Sequence, residues 1–177
     1  VVVITGVALV SRGGSRSGLE TINVAYDVAL FVRKAQTYGI GTVGVAGVGF
    51  DVGYGVHIDR NNLNQMILFL DKPDVFGNKN AQYDSGFDTL LEVFTFPAKV
   101  SIDRFCGTIP SGIKQCADAA SGIQGIDIVF VRPNPDARIK RYPTPSEFIE
   151  AEIVVRHVLG DERFVRIFTT GHISVSD

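Results

Sequence analysis

The chain changes texture near residue 39. Before it, apolar side chains recur every three or four positions. Leu19, Ile22, Ala25 with Tyr26, Ala29 and Val32 carry the pattern, while Glu20, Asn23, Asp27, Arg33 and Lys34 fall mainly on other faces. That period predicts an amphipathic helix with one buried stripe, ending near Gly39. Upstream, the apolar run Val1 to Val10 gives way to Gly, Ser and Arg. It reads as an apolar helical segment, too short alone for the ~20 residues that span a bilayer. Arg12 and Arg16 among the small residues after it, and no basic stretch before it, argue against a secretory signal core.

After Gly39 the period shortens to two. The stretches "TVGVAG", "GYGVHID", "QMILFLD", "TLLEVF", "AKVSID", "IDIVFVRP", "IEAEIVVRHV", "RFVRIFTT" and "HISVS" are rich in Val, Ile and Phe and are separated by turn formers. In "EAEIVVRHV", Ala151, Ile153, Val155 and His157 share one face, and Glu152, Val154 and Arg156 share the other. Such alternation belongs to antiparallel sheets with a half-solvated face, and no strand–helix–strand rhythm points to a parallel sheet. The expected fold is therefore α+β: an N-terminal helix over residues 1–38 packed on antiparallel sheets of a β-rich head over residues 39–177.

Composition narrows this little. At 177 residues, 45% hydrophobic and 20% charged, the chain is long enough for one domain with a real core. A net charge of -2 supplies no bulk attraction for nucleic acid or an anionic membrane. The two cysteines, Cys106 and Cys116, flank "GTIPSGIKQ", whose Gly, Pro and Ser let the chain double back. They read as a disulfide or as two separately buried thiols. A bridge would contribute about 2–3 kcal/mol and would place the domain outside the cytoplasm.

Several motifs invite chemistry. "GIGTVG" (39–44) has dinucleotide-loop spacing, but a helix precedes it and a strand-like stretch follows, the reverse of what a pyrophosphate cradle requires; helix termination is the better reading. The loop "DKPDVFGNKNAQYD" offers Asp71, Asp74, Asn78, Asn80 and Asp84 as oxygen ligands for calcium, against a solvated acidic loop with Lys72 and Lys79 among the carboxylates. His57, His157 and His172 each stand in a strand-like stretch without a nucleophile elbow or a metalloprotease pair. No catalytic residue is assigned, and no enzyme is expected. The cluster Arg138, Lys140, Arg141 and Tyr142, with Arg156, Arg163 and Arg166, is a candidate DNA or ligand contact, or a charged strand edge that blocks aggregation.

"NVAYDVALFVRKAQTYGI", followed by "GYGVHID", "QMILFLD", "CGTIPSGIKQC", "IDIVFVRPNPDARI" and "RIFTTGHISVSD", resembles type IV pilin-like proteins, particularly the GspH/FimT-type minor pseudopilins. The likeness runs from about Ser15 to the end. It implies that Val1 to Val10 is the back part of an apolar pilin helix, and that the leader cleavage site and assembly glutamate fall outside these residues. It further implies a membrane-anchored precursor with an extracytoplasmic head. A prepilin peptidase would process it, and assembly machinery would move it from the inner membrane into a surface or periplasmic filament of pilin or pseudopilin subunits. Val1, Val2, Val3, Ile4, Val7, Leu9 and Val10 would serve assembly. Leu19, Ile22, Tyr26, Ala29 and Val32 would hold the helix to the sheet. The other readings are a minor pilin that binds DNA or another ligand, and an unrelated extracellular β-sandwich adhesin or phage structural module.

Overall fold

The structure is a computed structural model that describes residues 2–41, 52–73, 77, 79–118 and 120–177, with helix side chains described from residue 16 onward. One helix, α1 (Val2–Ile40), precedes the strands β1 (Gly53–Asp59), β2 (Gln65–Asp71), β3 (Thr89–Thr95) and β4 (Val100–Thr108). These are followed by β5 (Lys114–Cys116), β6 (Gly125–Val131), β7 (Ala137–Tyr142), β8 (Glu147–Phe148), β9 (Glu150–His157), β10 (Glu162–Phe168) and β11 (Ile173–Ser176).

The strands form two sheets, ordered β3-β2-β1-β6-β7-β8 and β11-β10-β9-β4-β5, with antiparallel pairing throughout the described ladders. The α+β expectation is thereby corrected. The fold is β-rich: of the residues with described side chains, 46% lie in strands, and the helix contributes 25. The physical reason lies in the helix's buried stripe, which is narrow and mostly small: Val24, Ala25, Val28, Ala29, Val32 and Ala35, with Phe31 at its margin. Such a stripe fills a gap between two sheets and does not supply a broad layer of its own. It meets β1 and β6 of one sheet and β9, β10 and β11 of the other.

The inward faces of both sheets complete one apolar cluster, from Val56, Ile58, Met66, Leu68, Ile126, Ile128 and Phe130 on one side to Ile102, Phe105, Ile153, Val155, Val165 and Ile167 on the other. The chain crosses between sheets at residues 147–150, where β8 and β9 are separated only by Ile149, whose N–H donates to Thr108 O at 2.8 Å. Buried Phe148 fits over Gly107 of β4, where a Cβ would stand 2.2 Å from the ring. Gly39 near the helix end is equally constrained, since a Cβ there would lie 2.6 Å from Phe130 O. Gln36 fastens the same end by donating to Gly171 O at 3.0 Å and Pro135 O at 3.2 Å.

The expected alternation in β9 is present inward: Ala151, Ile153, Val155 and His157 are buried. The other face is less solvated than expected. Glu152 and Val154 are buried too, with Glu152 held by Lys114 at 2.6 Å and Arg166 at 3.0 Å.

Candidate functional site

The outward face of α1 differs from the expected one. Ala29 and Val32 are buried and Ile22 is half-buried, but Leu19 is 63% exposed and Tyr26 53% exposed. The expected face is therefore corrected at Leu19 and Tyr26. A helical period fixes the width of a stripe; the phase is decided by which small residues let the sheets approach, and here those are Ala25, Val28, Val32 and Ala35. Leu30, 62% exposed, lies four residues beyond Tyr26, which lies seven beyond Leu19. Spacings of seven and four place all three on one line, opposite the buried stripe. Beside it Glu20, Asn23, Val24, Pro97, Ala98 and Val100, with Lys99, line a groove of about 430 Å³. The residues expected to drive assembly, Val1, Val2, Val3, Ile4, Val7, Leu9 and Val10, have side chains outside the described residues.

Cys106 and Cys116 form a disulfide. They stand directly opposite each other in the β4–β5 ladder, so the intervening turn formers close a hairpin across which the bridge runs.

The basic cluster does not form one cationic strip. Arg138, Lys140 and Tyr142 project from one face of β7 and Arg141 from the other, as alternation requires. Arg138 lies 3.9 Å from Glu147, Lys140 Nζ donates to Asn80 O at 2.9 Å, and Arg141 Nε donates to Thr144 O at 3.1 Å. On the second sheet Arg156 pairs with Asp103, Arg163 with Asp177, and Arg166 with Glu152. Arg138, Arg156, Arg163 and Arg166 thus each face a carboxylate, whereas Lys140 and Arg141 keep their charge beside neutral carbonyl oxygens on opposite faces of β7, so the cations are divided among separate surfaces.

The acidic loop is likewise turned to other work. Asp74 and Asn78 lie outside the described residues. Asp71 is buried and its Oδ2 accepts from Ala81 N at 3.2 Å, while Asn80 Oδ1 accepts from Gln82 N at 2.9 Å. Asp84 N donates to Asp88 Oδ2 at 2.8 Å. Among the described residues no group of three His, Cys, Asp or Glu side chains converges as a metal site. Burial pushes the Asp71 carboxyl up to about 7, with the neighbouring Asp88 charge adding to the effect and the Ala81 N–H opposing it. Burial also raises Asp88 above the ordinary carboxylate range.

What the sequence pattern concealed is a recess on the outer face of the first sheet. His57 on β1 and Asp127 on β6 are directly opposite in the ladder, and His57 Nδ1 meets Asp127 Oδ1 at 2.7 Å. Both are buried, and desolvation raises the Asp127 carboxyl although the His57 contact opposes it. Tyr83 lies 5.0 Å from the imidazole and Tyr142 6.3 Å from it, edge-on. These side chains, with Asp59, Asp84, Ser85, Gly86 and Phe87, line a cavity of about 500 Å³, within the range of small-ligand sites. A smaller hollow of about 140 Å³ adjoins it on the other side of His57, Asp59 and Tyr83. The available signal was one polar residue inside each of two apolar strands, "GYGVHID" and "GIDIVFV"; only the register brings them together.

Comparison with protein-family models, curated proteins and solved structures finds no match for this chain.

Proposed function

We propose that this chain is a pilin-like structural subunit of a type IV pilus or type II secretion pseudopilus, acting by assembly and not by catalysis. The observation that carries the reading is the line Leu19, Tyr26 and Leu30 on the solvent side of α1. Exposing three large apolar groups at heptad-like spacing to water costs about 25 cal/mol per Å² of apolar area, and a neighbouring helix that covers them removes that cost. The groove between α1 and the β3–β4 connection continues this surface, with Glu20 and Lys99 at its rim to orient a partner. A filament needs a contact between unlike patches that repeats without closing, which an exposed helix face against a neighbour's surface supplies. The sequence likeness to minor pseudopilins points the same way, and with it come the partners of that system: other pilin subunits, a prepilin peptidase and the inner membrane before assembly. Among the described residues no helix is long and apolar enough to cross a membrane.

The test is self-association of the full 177-residue chain, followed by sedimentation velocity and negative-stain microscopy. Wild type is expected to form concentration-dependent oligomers or filaments, and L19E/L30E to remain monomeric with an unchanged melting temperature. Oligomers that persist in the variant, or a wild type that stays monomeric up to millimolar concentration, would overturn the assembly role of this face.

A further inference from the structure

We propose that the recess around His57 binds an organic ammonium group, such as a lysine-type side chain or a free alkylamine. This is independent of the filament reading, because the recess opens on the outer face of the first sheet and α1 contributes nothing to its lining.

Three observations converge. The floor is His57, only 7% exposed, whose Nδ1 is committed to Asp127. When Nδ1 carries the proton and donates to that carboxylate, Nε2 is left as an acceptor toward the recess, and it has no hydrogen-bond partner among the described residues. The walls are aromatic: Tyr83 and Tyr142 flank the imidazole, and Phe87 stands 66% exposed at the mouth. Ring faces attract a cation and cover its apolar stem. The remaining charge is of one sign. Asp59 and Asp84 are the charged residues of the lining, and no Lys or Arg is among them. Lys140, opposite Asp127 in the ladder, donates to Asn80 O, and Arg60 donates to Asp118 O; neither is part of the lining.

A neutral polyol would gain the aromatic contacts and could donate hydroxyl hydrogen bonds to the two carboxylates, but it would leave their charge unbalanced. An anion would be repelled by them. A primary ammonium suits this lining best: its charge balances the carboxylates, its three N–H donors match the acceptors Asp59, Asp84 and His57 Nε2, and its methylene stem matches the rings.

The experiment is a two-dimensional NMR titration of the full chain with butylammonium, with 1-pentanol as a neutral alcohol one methylene longer, so that apolar contact alone would favour the alcohol, and with methyl glucoside. Butylammonium is expected to shift the resonances of Tyr83, Asp84 and Tyr142 saturably, about tenfold more tightly than 1-pentanol. Asp59→Asn and Asp84→Asn each preserve shape and the local hydrogen bonds, and each is expected to weaken butylammonium about threefold to tenfold without altering 1-pentanol. Equal binding of the alcohol, tighter binding of the glucoside, shifts elsewhere on the surface, or an Asp59→Asn/Asp84→Asn double variant that binds butylammonium like wild type would each overturn the proposal.

Discussion

His157, the last residue of β9, holds Glu20 of α1 through Nε2 to Oε2 at 3.2 Å, across 137 positions of sequence. Its other ring nitrogen accepts from Leu159 N at 3.1 Å, which places the proton on Nε2 and makes the imidazole the donor to Glu20. The clasp fixes the helix to the second sheet near the groove that borders the exposed apolar line.

Glu20→Ala is expected to cost about 0.5–1 kcal/mol, because the carboxylate is partly solvated and the bond only partly shielded. Glu20→Gln keeps an acceptor for Nε2–H and is expected to be nearly neutral. Hydrogen exchange in residues 17–25 is the decisive readout; equal exchange in Glu20→Ala and wild type would show that the clasp does not hold the helix.

Gly107 has no room for a side chain beneath Phe148. Gly107→Ala is expected to lose about 1–3 kcal/mol in urea unfolding through overpacking of the sheet crossing. Shrinking the ring should give part of this back, so the double variant with Phe148→Leu is expected to be more stable than the sum of the two losses. Simple additivity would place the strain elsewhere.

The Cys106–Cys116 bridge closes the β4–β5 hairpin at the edge of the second sheet. Replacing both cysteines by alanine is expected to lower stability by about 2–3 kcal/mol, mainly by freeing the unfolded chain. Matching denaturation midpoints for the oxidised wild type and the double variant would contradict this.

Asp71 makes stability fall as pH rises. Its carboxyl titrates at about 7 in the fold against an ordinary value of 3.8, so between those values the folded chain keeps a proton that the unfolded chain has released. The stabilisation is full below about pH 4 and is lost by the time pH passes 7. Its size is roughly 2–4 kcal/mol. Buried Oδ1, which has no hydrogen-bond partner among the described residues, favours the neutral acid in the same sense. Asp71→Asn retains an acceptor for the Ala81 N–H and is expected to flatten the stability profile between pH 4 and 7, measured by urea unfolding at successive pH values. Parallel profiles for the two proteins would assign the slope to other groups.

Much was legible in the residue pattern because it depends on neighbours a few positions apart. The three-to-four spacing from Leu19 to Val32 required a helix, the alternation in β9 required a strand, and the turn formers between Cys106 and Cys116 made a closed hairpin reasonable. Three decisions needed the tertiary structure. Leu19 and Tyr26 face outward because the sheets chose the face with the smaller residues, and periodicity alone carries no phase. Arg138, Lys140 and Arg141 look like one basic patch in sequence, yet strand alternation and local acceptors separate them. His57 and Asp127 lie 70 residues apart, and each looks like a stray polar group in an apolar strand. Their pairing is set by the β1–β6 register, and a register is a property of two whole strands and the core they share.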